Sequence, residues 1–136
     1  MYLFDASAIV NLVKKGVIRP LADGVTLDLA FYEALNAVWK EHRLLKKLDE
    51  DVALAFVGVI GRVFEVMKVL SIKGLERDVF KFAIREGLTI YDAAYAYAAM
   101  KNGFMLVTDD GELRKRISKY LKTISSNELI SGEKMI

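Results

Sequence analysis

Tyr2-Leu3-Phe4-Asp5-Ala6-Ser7-Ala8-Ile9-Val10-Asn11-Leu12-Val13-Lys14-Lys15-Gly16 decides how the chain is read. Three apolar residues run into an acid. From there Ala8, Ile9, Leu12 and Val13 recur at helical spacing until Lys14-Lys15-Gly16 ends the pattern. Strand, carboxylate, helix, glycine stop is the reading. A second apolar run, Phe104-Met105-Leu106-Val107, meets Thr108-Asp109-Asp110-Gly111 and then a short basic helix over residues 113–120.

Between these two segments the alternation continues. Residues 16–24 hold the only proline and read as a loop, and Val25-Thr26-Leu27 reads as a brief strand. From Leu29 the spacing of Phe31, Leu35, Val38, Trp39 and Leu45 is helical, with Lys40, Arg43, Lys46 and Lys47 mostly on the other side. Asp49-Glu50-Asp51 starts a further helix, where the macrodipole favours acids. Residues 52–67 are apolar on nearly every face until Arg62, which predicts burial in the core or in an interface. Val69-Leu70-Ser71-Ile72 reads as a strand. Leu75, Val79, Phe82, Ala83 and Ile84 form an amphipathic helix that stops at Gly87, and Thr89 opens an alanine- and tyrosine-rich helix ending at Asn102-Gly103. Thr123-Ile124 reads as a last strand, and Ser125-Ser126-Asn127-Glu128 as a helix cap. Short, wholly apolar strands separated by helices predict an α/β fold: three layers, with a parallel sheet of four or five strands covered on both faces.

The chain has 136 residues and no internal repeat or linker, so residues 1–136 are read as a single domain. Twenty Lys and Arg against eighteen Asp and Glu give +2, which excludes a polybasic binder and leaves nucleic-acid contact to local patches. A 54% hydrophobic content with one proline excludes disorder. With no cysteine, disulfides, thiolate zinc sites and cysteine nucleophiles are excluded, and the lone His42 leaves no histidine cluster or serine triad. The opening residues lack a basic region followed by a long apolar stretch, and the longest apolar run is far short of roughly 20 residues. A soluble, cytoplasmic protein without a membrane segment is expected, with chemistry that rests on carboxylates.

In a parallel sheet the functional crevice lies beyond the carboxyl ends of the strands. Asp5 and Asp110 both follow strands, so the sheet brings them to one edge. Each acid also has an ordinary use: Asp5 and Asp109 or Asp110 as helix caps, Asp92 as part of a capping box begun by Thr89, Glu33 as a solvated helix residue. Yet Glu33 and Asp92 stand among apolar neighbours, where an acid is costly unless a cation or metal offsets it. Acids sharing one edge repel, and a divalent cation is the natural compensation. Oxygen ligands alone select Mg²⁺ or Mn²⁺, and two such ions roughly 3.5–4 Å apart suit phosphodiester hydrolysis. Arg114, Lys115, Arg116, Lys119 and Lys122 form the basic set best placed to guide a phosphate backbone. His42 and its basic neighbours read as a solvated face, and Tyr91, Tyr95 and Tyr97 as packing residues.

Four segments in order resemble the motifs of the PIN-domain ribonucleases, most of all the toxins of VapBC-type toxin–antitoxin pairs. They are Phe4-Asp5-Ala6-Ser7, Glu33-Ala34-Leu35-Asn36-Ala37, Leu88-Thr89-Ile90-Tyr91-Asp92-Ala93-Ala94-Tyr95 and Leu106-Val107-Thr108-Asp109-Asp110. The resemblance implies a Mg²⁺- or Mn²⁺-dependent endoribonuclease whose catalytic and metal-binding acids are Asp5, Glu33, Asp92 and Asp110. Ser7 and Thr108 would support them, Asn36 would orient Glu33, and Asp109 stands beside the fourth acid. Gly111 replaces the basic residue often found next. Likeness to the family also implies a homodimer, an RNA substrate and a cognate antitoxin. The alternatives are an RNA-processing nuclease of the same fold and a non-catalytic module that binds RNA or a partner.

Overall fold

The computed structural model describes residues 1–135. The elements, in chain order, are β1 (Tyr2–Phe4), α1 (Ala6–Lys14), α2 (Arg19–Ala22), β2 (Val25–Leu27), α3 (Leu29–Arg43), α4 (Glu50–Val66) and β3 (Lys68–Leu70). There follow α5 (Glu76–Glu86), α6 (Ile90–Asn102), β4 (Met105–Val107), α7 (Gly111–Ile117), β5 (Thr123–Ile124) and α8 (Ser126–Met135). Five strands form one sheet, all parallel, in the order β3-β2-β1-β4-β5.

That order positions the site. From β1 the chain steps one way to β2 and β3, then returns to place β4 on the other side of β1. Right-handed crossovers put the helices of the two halves on opposite faces, and the strand order reverses between β1 and β4. In such a sheet the place for a crevice is beyond the carboxyl ends of these two central strands. Their register pairs Tyr2 with Met105, Leu3 with Leu106 and Phe4 with Val107, so Asp5 and Thr108 leave the sheet side by side.

The core follows from composition. Leu3, Phe4, Val25, Leu27, Leu106 and Val107 are buried without alternation, as a sheet covered on both faces requires. Helices α1, α3 and α4 pack on one another, as do α5 and α6. The rings of Phe31 and Phe64 meet edge to face at 5.1 Å across the α3–α4 contact. Helix α6 buries Ala93, Ala94, Ala96, Ala98 and Ala99, small side chains that let its backbone approach the sheet closely. Gly24 allows a similar approach, because a Cβ there would stand 2.4 Å from the Phe4 ring.

Several expectations change. Residues 16–24 are not all loop: Pro20 sits in the first turn of the four-residue helix α2, where a missing N–H costs nothing. Helix α3 ends at Arg43, so Leu45 lies beyond it and is exposed, as is Trp39. Ile84 faces solvent rather than the core, and the basic helix ends at Ile117. Helix α4 buries Ala53, Ile60 and Val63 but leaves Leu54 60% and Val66 63% exposed, so its second apolar face is not part of the core.

Candidate active site

Asp5 lies where β1 hands over to α1, and it is 6% exposed. Its Oδ1 accepts from the Ala8 N–H at 2.9 Å, capping α1, and from the Ser7 hydroxyl at 2.7 Å. Burial is the dominant influence on its ionisation and raises its pKa from 3.8 to about 6, although the Thr108 and Ser7 hydroxyls and the Ala8 N–H favour the anion. The negative charge of Asp109 adds to the rise. The capping role expected of an Asp at this position is real, but it does not offset the charge.

The end of β4 lies alongside. Asp5 N–H donates to the Val107 carbonyl at 3.1 Å, and the Asp109 N–H donates to the Ser7 hydroxyl at 3.0 Å. Thr108 is fully buried, and its hydroxyl accepts from the Asp110 N–H at 3.1 Å. Asp110 caps α7 by accepting from the Leu113 N–H at 3.1 Å. Asp109 points elsewhere: its two oxygens accept from the N–H and the hydroxyl of Ser126 at 2.8 and 2.6 Å. The two adjacent acids thus have separate surroundings.

Glu33 on α3 and Asp92 on α6 approach from the two helical layers. The Tyr95 hydroxyl donates to Glu33 Oε1 at 2.7 Å. Burial raises the Glu33 pKa, the bond from Tyr95 opposes the rise, and the charge of Asp92 adds to it. Burial also raises Asp92, and there the added charge is that of Asp110. Tyr95 is driven strongly upward by burial, then by Glu33, with a contribution from the charge of Asp5. Charge effects thus run from Asp92 to Glu33 and from Asp110 to Asp92, while Glu33 and Asp5 both act on Tyr95. Only half of the box at the α6 start forms: the Asp92 N–H donates to Thr89 Oγ1 at 3.1 Å, and among the described residues no bond returns from the Asp92 carboxylate.

Asn36 is exposed, and among the described residues no hydrogen bond joins it to Glu33; Tyr95 makes that contact instead. Arg114 is engaged by Glu128 at 2.7 Å and by Thr123 at 3.3 Å. Arg116 donates to the carbonyls of Glu86 and Gly87 at 3.2 and 3.3 Å, at the C-terminus of α5, and lies 3.6 Å from Glu112. Both arginines fasten the fold, whereas Lys115 is exposed and has no ion pair among the described residues. His42 hydrogen-bonds the Leu48 carbonyl at 2.9 Å, a local tie.

Tyr95 and Ser126 were not singled out as contacts of the acids by sequence reasoning. Tyr95 stands on the same helix as Asp92, three residues on, and that spacing was the available signal. Ser126 carried none, being seventeen residues from Asp109.

The donor set suits a hard divalent cation. All candidate ligands are carboxylate oxygens, and among the described residues none of the four forms an ion pair with Lys or Arg. No three acids or histidines among the described residues close into a ready metal cage. Such a cage is not a requirement for Mg²⁺, which usually keeps several waters and takes one or two carboxylates plus substrate phosphate.

No family model matches the chain. It is 40% identical over 114 residues to Exonuclease VapC9 of Pyrobaculum aerophilum, which covers 82% of each chain. It is 40% identical over 91 residues to Ribonuclease VapC3 of the same organism, covering 67% of this chain and 69% of that one. Among solved structures, PAE2754 from Pyrobaculum aerophilum superposes with a TM-score of 0.76 at 34% identity, over 96% of this chain and 92% of that one. VapBC2 from Rickettsia felis, solved bound to a DNA fragment from its promoter, superposes with a TM-score of 0.59 at 15% identity over 91% and 97%, a likeness of fold.

Proposed function

The chain belongs to the VapC family, and on that premise we propose that it is a metal-dependent ribonuclease, cutting RNA within the strand as the toxin of a toxin–antitoxin pair. The observation that carries this reading is the buried carboxyl of Asp5, without an ion-pair partner among the described residues, at the reversal of strand order, together with the charge effects of Asp92 on Glu33 and of Asp110 on Asp92. Such a cluster is costly on its own and is suited to a bound cation.

Asp5, Glu33, Asp92 and Asp110 are the residues that would hold Mg²⁺ or Mn²⁺. When bound there, the cation supplies water activation and neutralises charge developing on the phosphate. The chain's part is to hold the oxygens in place. Ser7 and the Ala8 N–H fix Asp5, Tyr95 aims Glu33, and Asp110 is held at its amide by Thr108 and at its carboxylate by Leu113. Of the five basic residues first considered, Arg114 and Arg116 are occupied and Lys119 lies 3.6 Å from Glu86, whereas Lys115 and Lys122 are exposed and have no ion pair among the described residues; Lys115, five residues after Asp110, is the one we assign to a phosphate. The exposed apolar faces at Trp39, Leu44 and Leu45 and at Leu54, Val57 and Val66 support contacts with an antitoxin and with a second copy. Among the described residues no helix is long and apolar enough to cross a membrane; the cytoplasmic location is proposed from the RNA substrate.

The relatives' names include both an exonuclease and a ribonuclease, so the test uses linear and covalently circular RNAs of one sequence. With Mn²⁺ both are expected to be cut, and chelator or Asp92→Asn abolishes both reactions. Consumption of the linear RNA alone would overturn internal cleavage. No metal-dependent cleavage of either would overturn the nuclease reading.

A further inference from the structure

We propose that Asn11, Ser126 and Asp109 form a directional hydrogen-bond relay that positions Ser7 against Asp5 and holds the turn carrying Asp110, making the C-terminal helix part of the site's framework. This rests on the reading of Asp5 and Asp110 as acids of the site.

The chemistry of the donors fixes the direction. A carboxamide nitrogen can only donate, and Asn11 Nδ2 donates to Ser126 Oγ at 2.5 Å. An ionised carboxylate can only accept, so the single Ser126 hydroxyl proton goes to Asp109 Oδ2 at 2.6 Å, while the Ser126 N–H takes Oδ1 at 2.8 Å. Both Asp109 oxygens are thereby occupied, and its backbone is held. From that backbone the chain of bonds continues: Asp109 N–H to Ser7 Oγ at 3.0 Å, and Ser7 Oγ to Asp5 Oδ1 at 2.7 Å. Ser126 is fully buried, so a broken link there is not replaced by water without opening the helix contact.

Helix α8 does not depend on Asp109 for its start. Ser125 and Glu128 form a reciprocal capping box of their own, with Ser125 N–H on Glu128 Oε1 and Glu128 N–H on Ser125 Oγ, each at 3.1 Å. Asp109 therefore adds a tertiary tie to a helix already capped, and a Lys15–Asn127 hydrogen bond fastens the same end to α1. The tie acts at the β4–α7 turn, one residue before Asp110. Asp109 is thus a positioning residue, and its neighbour is the acid left to the crevice.

Reversing the relay's polarity tests it. In Asp109→Asn, Ser126 Oγ faces two amide donors and its own proton loses an acceptor. In Asp109→Asn with Asn11→Asp, the bonds can re-form in the opposite sense, and net charge is that of the wild type. Amide exchange at residue 109 is measured by NMR in metal-free protein, and the melting shift is measured against MnCl₂ concentration. The single variant should exchange faster at residue 109, and it should need on the order of tenfold more Mn²⁺ for its half-maximal shift, the scale expected of groups that orient metal ligands. The double variant should recover on both readouts. Wild-type exchange in Asp109→Asn, or a double variant no better than the single, overturns the relay; the latter result assigns the effect to the Asp109 charge. Absence of any Mn²⁺ shift in the wild type overturns the metal reading instead, and exchange at residue 109 then decides the relay by itself.

Discussion

Replacing Asp5 by asparagine should remove the proposed activity and, in metal-free protein at neutral pH, stabilise the fold. The Asp5 carboxyl goes from 3.8 to about 6 in the native state. A native acid with a raised pKa binds its proton more tightly than the unfolded chain does, so stability is greatest below about pH 4 and falls as pH rises toward 6. The rise corresponds to about 3 kcal/mol at most once Asp5 is fully ionised. Asparagine avoids that cost. Its oxygen still accepts from the Ala8 N–H and the Ser7 hydroxyl, while the amide nitrogen that replaces the second oxygen cannot accept from Thr108, a loss of about 1 kcal/mol.

Asp5→Asn is therefore expected to be roughly 1–2 kcal/mol more stable than wild type at pH 7, and equal or slightly less stable at pH 4. Urea unfolding of both proteins at pH 4, 5, 6 and 7 in EDTA measures the difference. A difference that does not change with pH, or a variant less stable at pH 7, would refute the argument that an uncompensated buried charge sits at this position. Addition of Mn²⁺ should reverse the order, because a ligand that binds only the native wild type adds about 2.7 kcal/mol at a hundred times its dissociation constant.

Three further outcomes are expected. Tyr95→Phe removes the donor that favours ionised Glu33, so the acid limb of the pH–activity profile should move to higher pH, with a stability loss of about 1 kcal/mol seen in urea unfolding. Gly24→Ala drives a methyl group into the Phe4 ring and should cost about 1–3 kcal/mol by the same measurement. Lys115→Glu should weaken RNA binding and lower its dependence on salt concentration, as loss of a phosphate contact does, while the melting point stays near that of wild type.

The alternation of strand, acid and helix was legible because each part is local. A fully buried parallel strand has to be apolar on both faces, and the acid that follows it caps the next helix within three residues, as Asp5 and Asp110 do. The neighbourhood of Asp5 and Asp110 follows from the same locality, since any parallel pairing of the two strands puts their carboxyl ends together. What was not legible depends on contacts distant in the chain. Tyr95 meets Glu33 across sixty-two residues, and Arg114 and Arg116 are taken by Glu128 and by the α5 carbonyls, so their charge is not free as the sequence suggested. Asp109 and Asp110 are the sharpest case. Side by side in sequence they are chemically identical, and only the placement of Ser126 gives one of them to the framework and leaves the other to the crevice. Residues 52–67 teach the converse. An all-round apolar pattern predicted burial in the core or an interface, and the fold supplies core for only one face. The other face, with Leu54 and Val66 in solvent, is the part of that pattern for which the core of a single chain does not account.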